Sequence, residues 1–274
     1  PTTYEASLMT LLDYTFFQHA LLGGLFAALL CAIVGTYVVT RRMVIAGGGM
    51  AHASLGGVGV GAYLGISPVI GAAVFALLSG FSIQALSRRG VREDSAIAML
   101  WTLGMAVGIL FAFLTPGFMT DLQSFLFGDI LSIQTSDLFA MGALTAFAAL
   151  YFTLRLRRIV TIAYDRDFAV TQGLPVVAIE SVLTALVALT IVACLRMVGI
   201  VLVISLLSVP QQTAALYART FRGMIFLSAL IGCFFLGGSM CLRGHRLSCY
   251  RLRRICLADS NVISPPPYVI NNCL

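Results

Sequence analysis

Residues 41–66 read RRMVIAGGGMAHASLGGVGVGAYLGI, and beyond the paired arginines their one ionisable side chain is His52. A helix entering a bilayer at Arg42 rises about 1.5 Å per residue, which sets His52 about 15 Å deep, near the middle of a hydrocarbon layer about 30 Å thick. An imidazole is costly at that depth, so one that faces a protein interior or a water-filled path is a functional-site candidate. Its chemistry would be ligation: a neutral imidazole suits zinc, iron and, to a lesser degree, manganese. One histidine is not a site, and a hydrogen bond to a neighbouring helix is the other role open to it.

Other polar residues interrupt apolar surroundings. Pro210, Gln211 and Gln212 break an apolar run; a proline there frees backbone carbonyls, giving either a kink that lines a pathway or a helix end before Arg219. Glu180 reads as an interfacial carboxylate paired with a cytoplasmic arginine. Asp121, Asp129 and Asp137 fall in one connection, where their potential would draw cations to an entrance or simply solvate a loop. No set of residues is catalytic: HExxH, GxSxG and paired carboxylates at helical spacing are all missing. All 17 basic residues are arginine, which excludes a GxxxxGK[ST] nucleotide loop. Cys31 and Cys194 lie in apolar runs as small buried residues, and the seven cysteines have no metal-ligand spacing.

The elements that hold these residues follow from composition. Of 274 residues, 59% are hydrophobic and 10% charged, against about 25% charged in an average soluble protein. That predicts an all-α polytopic membrane protein rather than a soluble domain. Apolar runs fall near 16–39, 44–64, 68–86, 95–114, 137–154, 176–195, 197–217 and 224–238, about eight crossings. Arginines cluster at Arg41–Arg42, Arg88–Asp94, Arg155–Arg166 and Arg219–Arg222, at every second junction, so those loops are cytoplasmic and the N-terminus external. Arg196 is the exception, an external arginine that is either tolerated alone or paired. The connection 115–136 is external, and its apolar piece Ser124–Ile133 is too short to span. The loop 159–175 is the most polar one inside, with a short helix that Gly173 and Pro175 end. Glycines crowd the second run, which places it at the bundle centre or a subunit contact, where small residues let backbones approach. Residues 1–238 thus form a transmembrane domain. Residues 239–274 form a non-spanning tail, expected to be poorly ordered or to be a shifted reading frame in place of a last helix. No cleavable signal peptide is visible, and the opening at Pro1 rather than Met points to missing residues ahead of it.

Three stretches together carry a family resemblance: RRMVIAGGGMAHASLGGVGVGAYLG at 41–65; REDSAIAMLWTLGMAVGILF at 92–111 with DLQSFLFGDIL at 121–131; and DRDFAVTQGLPV at 165–176 leading into LRMVGIVLVISLLSVPQQTA. The chain resembles the permease subunits of ABC importers for manganese, zinc and iron. The resemblance implies a bundle of about eight or nine membrane helices in a bacterial inner membrane. It implies a second permease copy, a separate ABC ATPase that binds ATP, and an extracytoplasmic metal-binding protein. The permease is then not itself an enzyme; it holds no cofactor, and its cargo is a divalent metal ion. The stretch holding Asp165, Asp167, Phe168 and Gly173 matches the ATPase-docking segment. His52 matches the histidine of the family's second-helix motif, with Gly48 where an Asp commonly stands. His52 is then the pathway residue, with Gly48, Pro210, Gln211 and Asp129 as candidates to line the route. Rival readings are a permease for a metal chelate of the siderophore or corrinoid type, a membrane protein without transport activity, and a truncated, inactive permease.

Overall fold

A computed structural model describes residues 15–115, 128 and 135–235, and in them the chain is helical with no strand. The helices are α1 (Thr15–Thr40), α2 (Val44–Tyr63), α3 (Pro68–Arg88), α4 (Glu93–Leu114), α5 (Thr135–Tyr164), α6 (Arg166–Thr171), α7 (Val176–Val198), α8 (Ile200–Tyr217) and α9 (Phe221–Phe235). All but α6 coincide with the eight apolar runs, since a chain in hydrocarbon must satisfy its backbone groups internally. Apart from Gly128, the apolar piece Ser124–Ile133 lies outside the described residues, as do Asp121, Asp129 and the tail from 239. The chain divides into two compact units, Pro1–Cys233 and Phe234–Leu274. The first unit holds everything that follows.

Two helices differ from expectation. Helix α5 runs 30 residues, ten beyond the end expected from its first arginine. At about 1.5 Å per residue it is about 45 Å long, so its last turns stand clear of the hydrocarbon. There Arg155, Arg157 and Arg158 are exposed while Ile159, Ile162 and Ala163 stay buried against the bundle. Helix α2 is long enough to cross, yet it is not among the six helices apolar enough to count as spans by hydropathy. Fourteen of its 20 residues are buried, so little of it meets lipid and it needs no apolar exterior.

Glycine contacts set how closely α2 is gripped. A Cβ on Gly57 would overlap the Gly71 carbonyl of α3, and one on Gly56 would come 2.7 Å from the Gly104 carbonyl of α4. Backbones this close exclude side chains from both interfaces, and the gain is dispersion and close packing.

Four helix ends close in one way. At α2, α3 and α6 the left-handed residue is Gly65, Gly90 or Gly173, and the following amide bonds back to close the last turn, as from Ile66 N to the Gly61 carbonyl at 2.9 Å. This is the Schellman arrangement, in which glycine avoids a Cβ penalty. At α1 the same bonds form, from Met43 N to Val38 O at 2.8 Å and from Arg42 N to Val39 O at 3.0 Å. The left-handed position there is Arg42, with φ 58°, the one non-glycine with positive φ among the described residues. That costs about 1–2 kcal/mol, so the α1–α2 turn keeps an arginine where glycine would relax the backbone.

Candidate functional site

His52 lies midway along α2, between the paired arginines at one end and Tyr63 at the other. Its ring stacks on Trp101 of α4, with centroids 4.4 Å apart and planes 9° from parallel. Trp101 is itself fixed, donating from Nε1 to Met105 Sδ at 3.1 Å. The imidazole is half-buried, and its Nδ1 is buried with no hydrogen-bond partner. A histidine that holds a resident metal usually has its second nitrogen oriented by a carboxylate or carbonyl. Here a stacked aromatic ring does the orienting and leaves a lone pair or N–H unsatisfied.

The face that carries His52 is the one α2 does not bury. Ile45 and Tyr63, seven residues before and eleven after His52, are 58% and 51% exposed; the spacing sets all three on one stripe. One turn earlier on the neighbouring side is Gly48, buried over a narrow apolar pocket lined by Val38, Val44, Val187, Ile204 and Leu207. A Cβ at Gly48 would touch only Ile204 Cδ1, at 3.9 Å. Among the described residues no group of three or more His, Cys, Asp or Glu side chains could hold a metal ion. Among the described residues His52 thus stands without a cluster of metal-ligating side chains around it.

Pro210 and Gln211 sit at the contact of α8 with α1, and the helix runs on through the proline to Tyr217. Proline has no N–H to give the carbonyl four residues back, which is Leu206. Gln211 Nε2 supplies the missing donor at 3.0 Å and also bonds the Cys31 carbonyl of α1 at 2.7 Å. Gly35 makes the room, since a Cβ there would lie 2.7 Å from that same nitrogen. Gln211 is 1% exposed, so this is a repair of the backbone in a closed interface. Gln211→Leu, which keeps the bulk and removes the donor, is expected to destabilise the protein by about 1–3 kcal/mol, the cost of a buried carbonyl left unpaired. Thermal unfolding in detergent, compared with wild type, measures it. In the same core Cys31 Sγ lies 3.9 Å from Cys194 Sγ, both thiols free and buried.

At the arginine-bearing end, Glu180 of α7 is buried and accepts two hydrogen bonds on Oε1. They come from Arg41 Nη2 at 3.0 Å and Arg166 Nε at 3.2 Å. The pairing of Glu180 with arginines follows the sequence reading; its bridging of two elements does not. Beside it opens a cavity of about 380 Å³ whose walls include Tyr37, Met50, Gly80, Gln84 and Thr184.

Helix α6 begins next to this hub. Asp165 caps it, Oδ1 accepting from Phe168 N at 2.9 Å. Ala169 is buried and anchors the helix, while Asp167 is exposed and Phe168 and Val170 are 51% and 53% exposed. Gly173, with φ 70°, turns the chain towards α7.

On the opposite end Arg196 is paired, donating from Nη1 to Asp137 Oδ1 at 2.9 Å. Gly128, with φ 76°, packs against the one-residue break between α7 and α8, where a Cβ would lie 2.5 Å from the Val198 carbonyl carbon. Sequence reasoning missed Trp101 as the ring partner of His52 and Arg41 as the partner of Glu180. Trp101 is the one tryptophan of the chain, which was the available signal.

Comparison with known proteins adds to this geometry. The ABC 3 transport family matches residues 13–250. The chain is 35% identical over 241 residues to "Uncharacterized membrane protein slr2045" of Synechocystis, covering 88% of this chain and 86% of that protein. It is 33% identical over 223 residues to "Manganese transport system membrane protein MntC" of Halalkalibacterium halodurans, covering 81% of this chain and 76% of that one. The solved structure of PsaBC from Streptococcus pneumoniae in complex with Fab superposes with a TM-score of 0.75 at 30% identity, covering 85% of this chain and 84% of its own.

Proposed function

The chain belongs to the ABC 3 transport family, and from that premise we propose that it is the membrane permease of an ATP-driven importer for divalent metal ions: manganese, zinc or iron. It is a multi-pass protein of a bacterial inner membrane. The chemistry of the step is not covalent. A cation released at the external face passes His52, exchanging water for one imidazole nitrogen, and leaves on the arginine-rich side.

His52 carries this reading. A half-buried imidazole at mid-bilayer depth, with a buried unsatisfied nitrogen, is expensive unless something polar shares its face. A second copy of the chain laid over the stripe of Ile45, His52 and Tyr63 would supply that and would enclose the route between the copies. The relatives named for manganese and metal transport support the cargo class. Exposed Asp167, Phe168 and Val170 on α6 suit a separate ATPase subunit, whose hydrolysis would drive alternation of the helices between outward and inward arrangements. Asp129 and the rest of the external connection suit delivery by a metal-binding protein.

The test is reconstitution in proteoliposomes with the partner ATPase. Uptake of manganese, zinc or iron is expected with ATP and not with a non-hydrolysable analogue. A chain that co-purifies with no ATPase, or uptake indifferent to ATP, overturns the reading. Uptake only of a chelated metal would move it to the chelate class.

A further inference from the structure

Glu180 is placed where three separate parts of the bundle meet. Its one oxygen Oε1 binds Arg166, the first residue of α6, and Arg41, in the turn between α1 and α2. Arg41 also donates from Nη1 to the Ile162 carbonyl at 3.2 Å, three residues before α6 begins its cap. Both ends of the α5–α6 corner are therefore tied to Arg41, one directly and one through Glu180.

On its other side, Arg41 is close-coupled to α2. Two residues separate it from Val44, and they sit in the strained turn at Arg42. The turn is closed by the bond from Met43 N to Val38 O, and Met43 O in turn accepts from Gly47 N at 3.1 Å. A displacement of Arg41 therefore reaches the first turn of α2, and α2 is the helix that carries His52. Glu180 is buried while both its arginine partners are part-exposed, a buried charge paired in this way is weak evidence for stability, and the Arg41 Nε is left buried without a partner. The arrangement is thus not an optimum for stability. The adjoining cavity of about 380 Å³ gives the three side chains room to shift without repacking the core.

We propose that Glu180 is a positioning residue that transmits movement of α6 to the α1–α2 turn and so to the His52 helix. The proposal rests on the reading of α6 as the ATPase-docking helix. Arg166 passes the motion to Glu180, Glu180 passes it to Arg41, and the rigid turn passes it to α2. The bistable element would be this Glu180-centred ion-pair cluster, whose contacts would differ between two arrangements of α6.

The experiment uses the permease assembled with its ATPase. Glu180→Gln and Arg166→Ala are each expected to leave complex formation and ATP hydrolysis near wild type while metal moved per ATP falls about tenfold or more, within the range of ordinary coupling energies. Arg166 is half-exposed, so its replacement does not put folding at stake. Arg166→Lys, which keeps the charge, should recover most of the loss. Spin labels at Thr171 at the end of α6 and Arg42 in the α1–α2 turn, both exposed and outside the two proposed contact faces, should change separation together with nucleotide state in wild type and cease to do so in Arg166→Ala. Transport and hydrolysis falling in proportion, or a wild-type label distance blind to nucleotide, would overturn the proposal. Nucleotide-linked label motion in a wild type that moves no metal would instead count against the transport function and leave the coupling standing.

Discussion

Replacing His52 by alanine is expected to lower ATP-driven uptake of free manganese at sub-saturating concentration by about tenfold to a hundredfold, the loss typical when a metal site is deprived of a supporting group. The reason is scarcity. Among the described residues no group of three or more His, Cys, Asp or Glu side chains could hold the ion. On the proposed route the cation must still give up water to pass, and the His52 imidazole is the group that would compensate it. ATP hydrolysis by the assembled complex should persist, because His52 is far along α2 from the cytoplasmic hub. His52→Cys should keep a ligand of softer character and shift preference towards zinc over manganese. Trp101→Leu tests the orienting role separately: the ring loses its stacked partner but keeps its nitrogen, so a smaller loss is expected than for His52→Ala. Equal manganese uptake by wild type and His52→Ala, measured in the same vesicles, would remove direct ligation from the account and favour a wider path for a chelate.

What was legible beforehand follows from which forces act locally. The bilayer imposes helices of near-fixed length wherever apolar residues run on, so the eight runs and the alternation of arginine ends could be read off directly. The length of α5 could not, because arginines that end an apolar run do not end a helix. Burial of α2 was readable from its glycines, whose only benefit in lipid is close approach. The partners of its residues were not readable, since Trp101 and His52 meet through tertiary packing. Glu180 invited an arginine, but the choice of Arg41, 139 residues away in sequence, is a property of the assembled bundle. Gln211 shows the converse limit. A glutamine after a membrane proline suits a pathway wall or a carbonyl repair equally well by pattern, and the geometry places it against the Leu206 and Cys31 carbonyls.

Gly48→Asp is expected to turn the weak passage point into a tight one. The two positions are four residues apart on α2, so their Cβ atoms would be about 5–6 Å apart on neighbouring sides of one face, close enough to bracket a single cation. The space exists, because a Cβ at 48 meets only the far end of Ile204. The surroundings are apolar, with Val38, Val44, Val187 and Leu207 lining the pocket, so an unpaired carboxylate there is costly. That cost is relieved when a divalent ion is bound. Two effects should therefore appear together: the manganese concentration for half-maximal uptake falls about tenfold, and metal-free protein melts lower than wild type but recovers on adding manganese, as mass action requires of a ligand that binds only the folded state. Maximal uptake should drop as well, since an ion held by two groups leaves more slowly. Gly48→Asn matches the shape without the charge, and Gly47→Asp adds the charge where a Cβ also meets nothing but out of step with His52. Neither should tighten binding. If Gly48→Asn and Gly48→Asp give the same half-maximal concentration, the ion does not pass beside this turn of α2, and the route has to be sought on another face of the bundle.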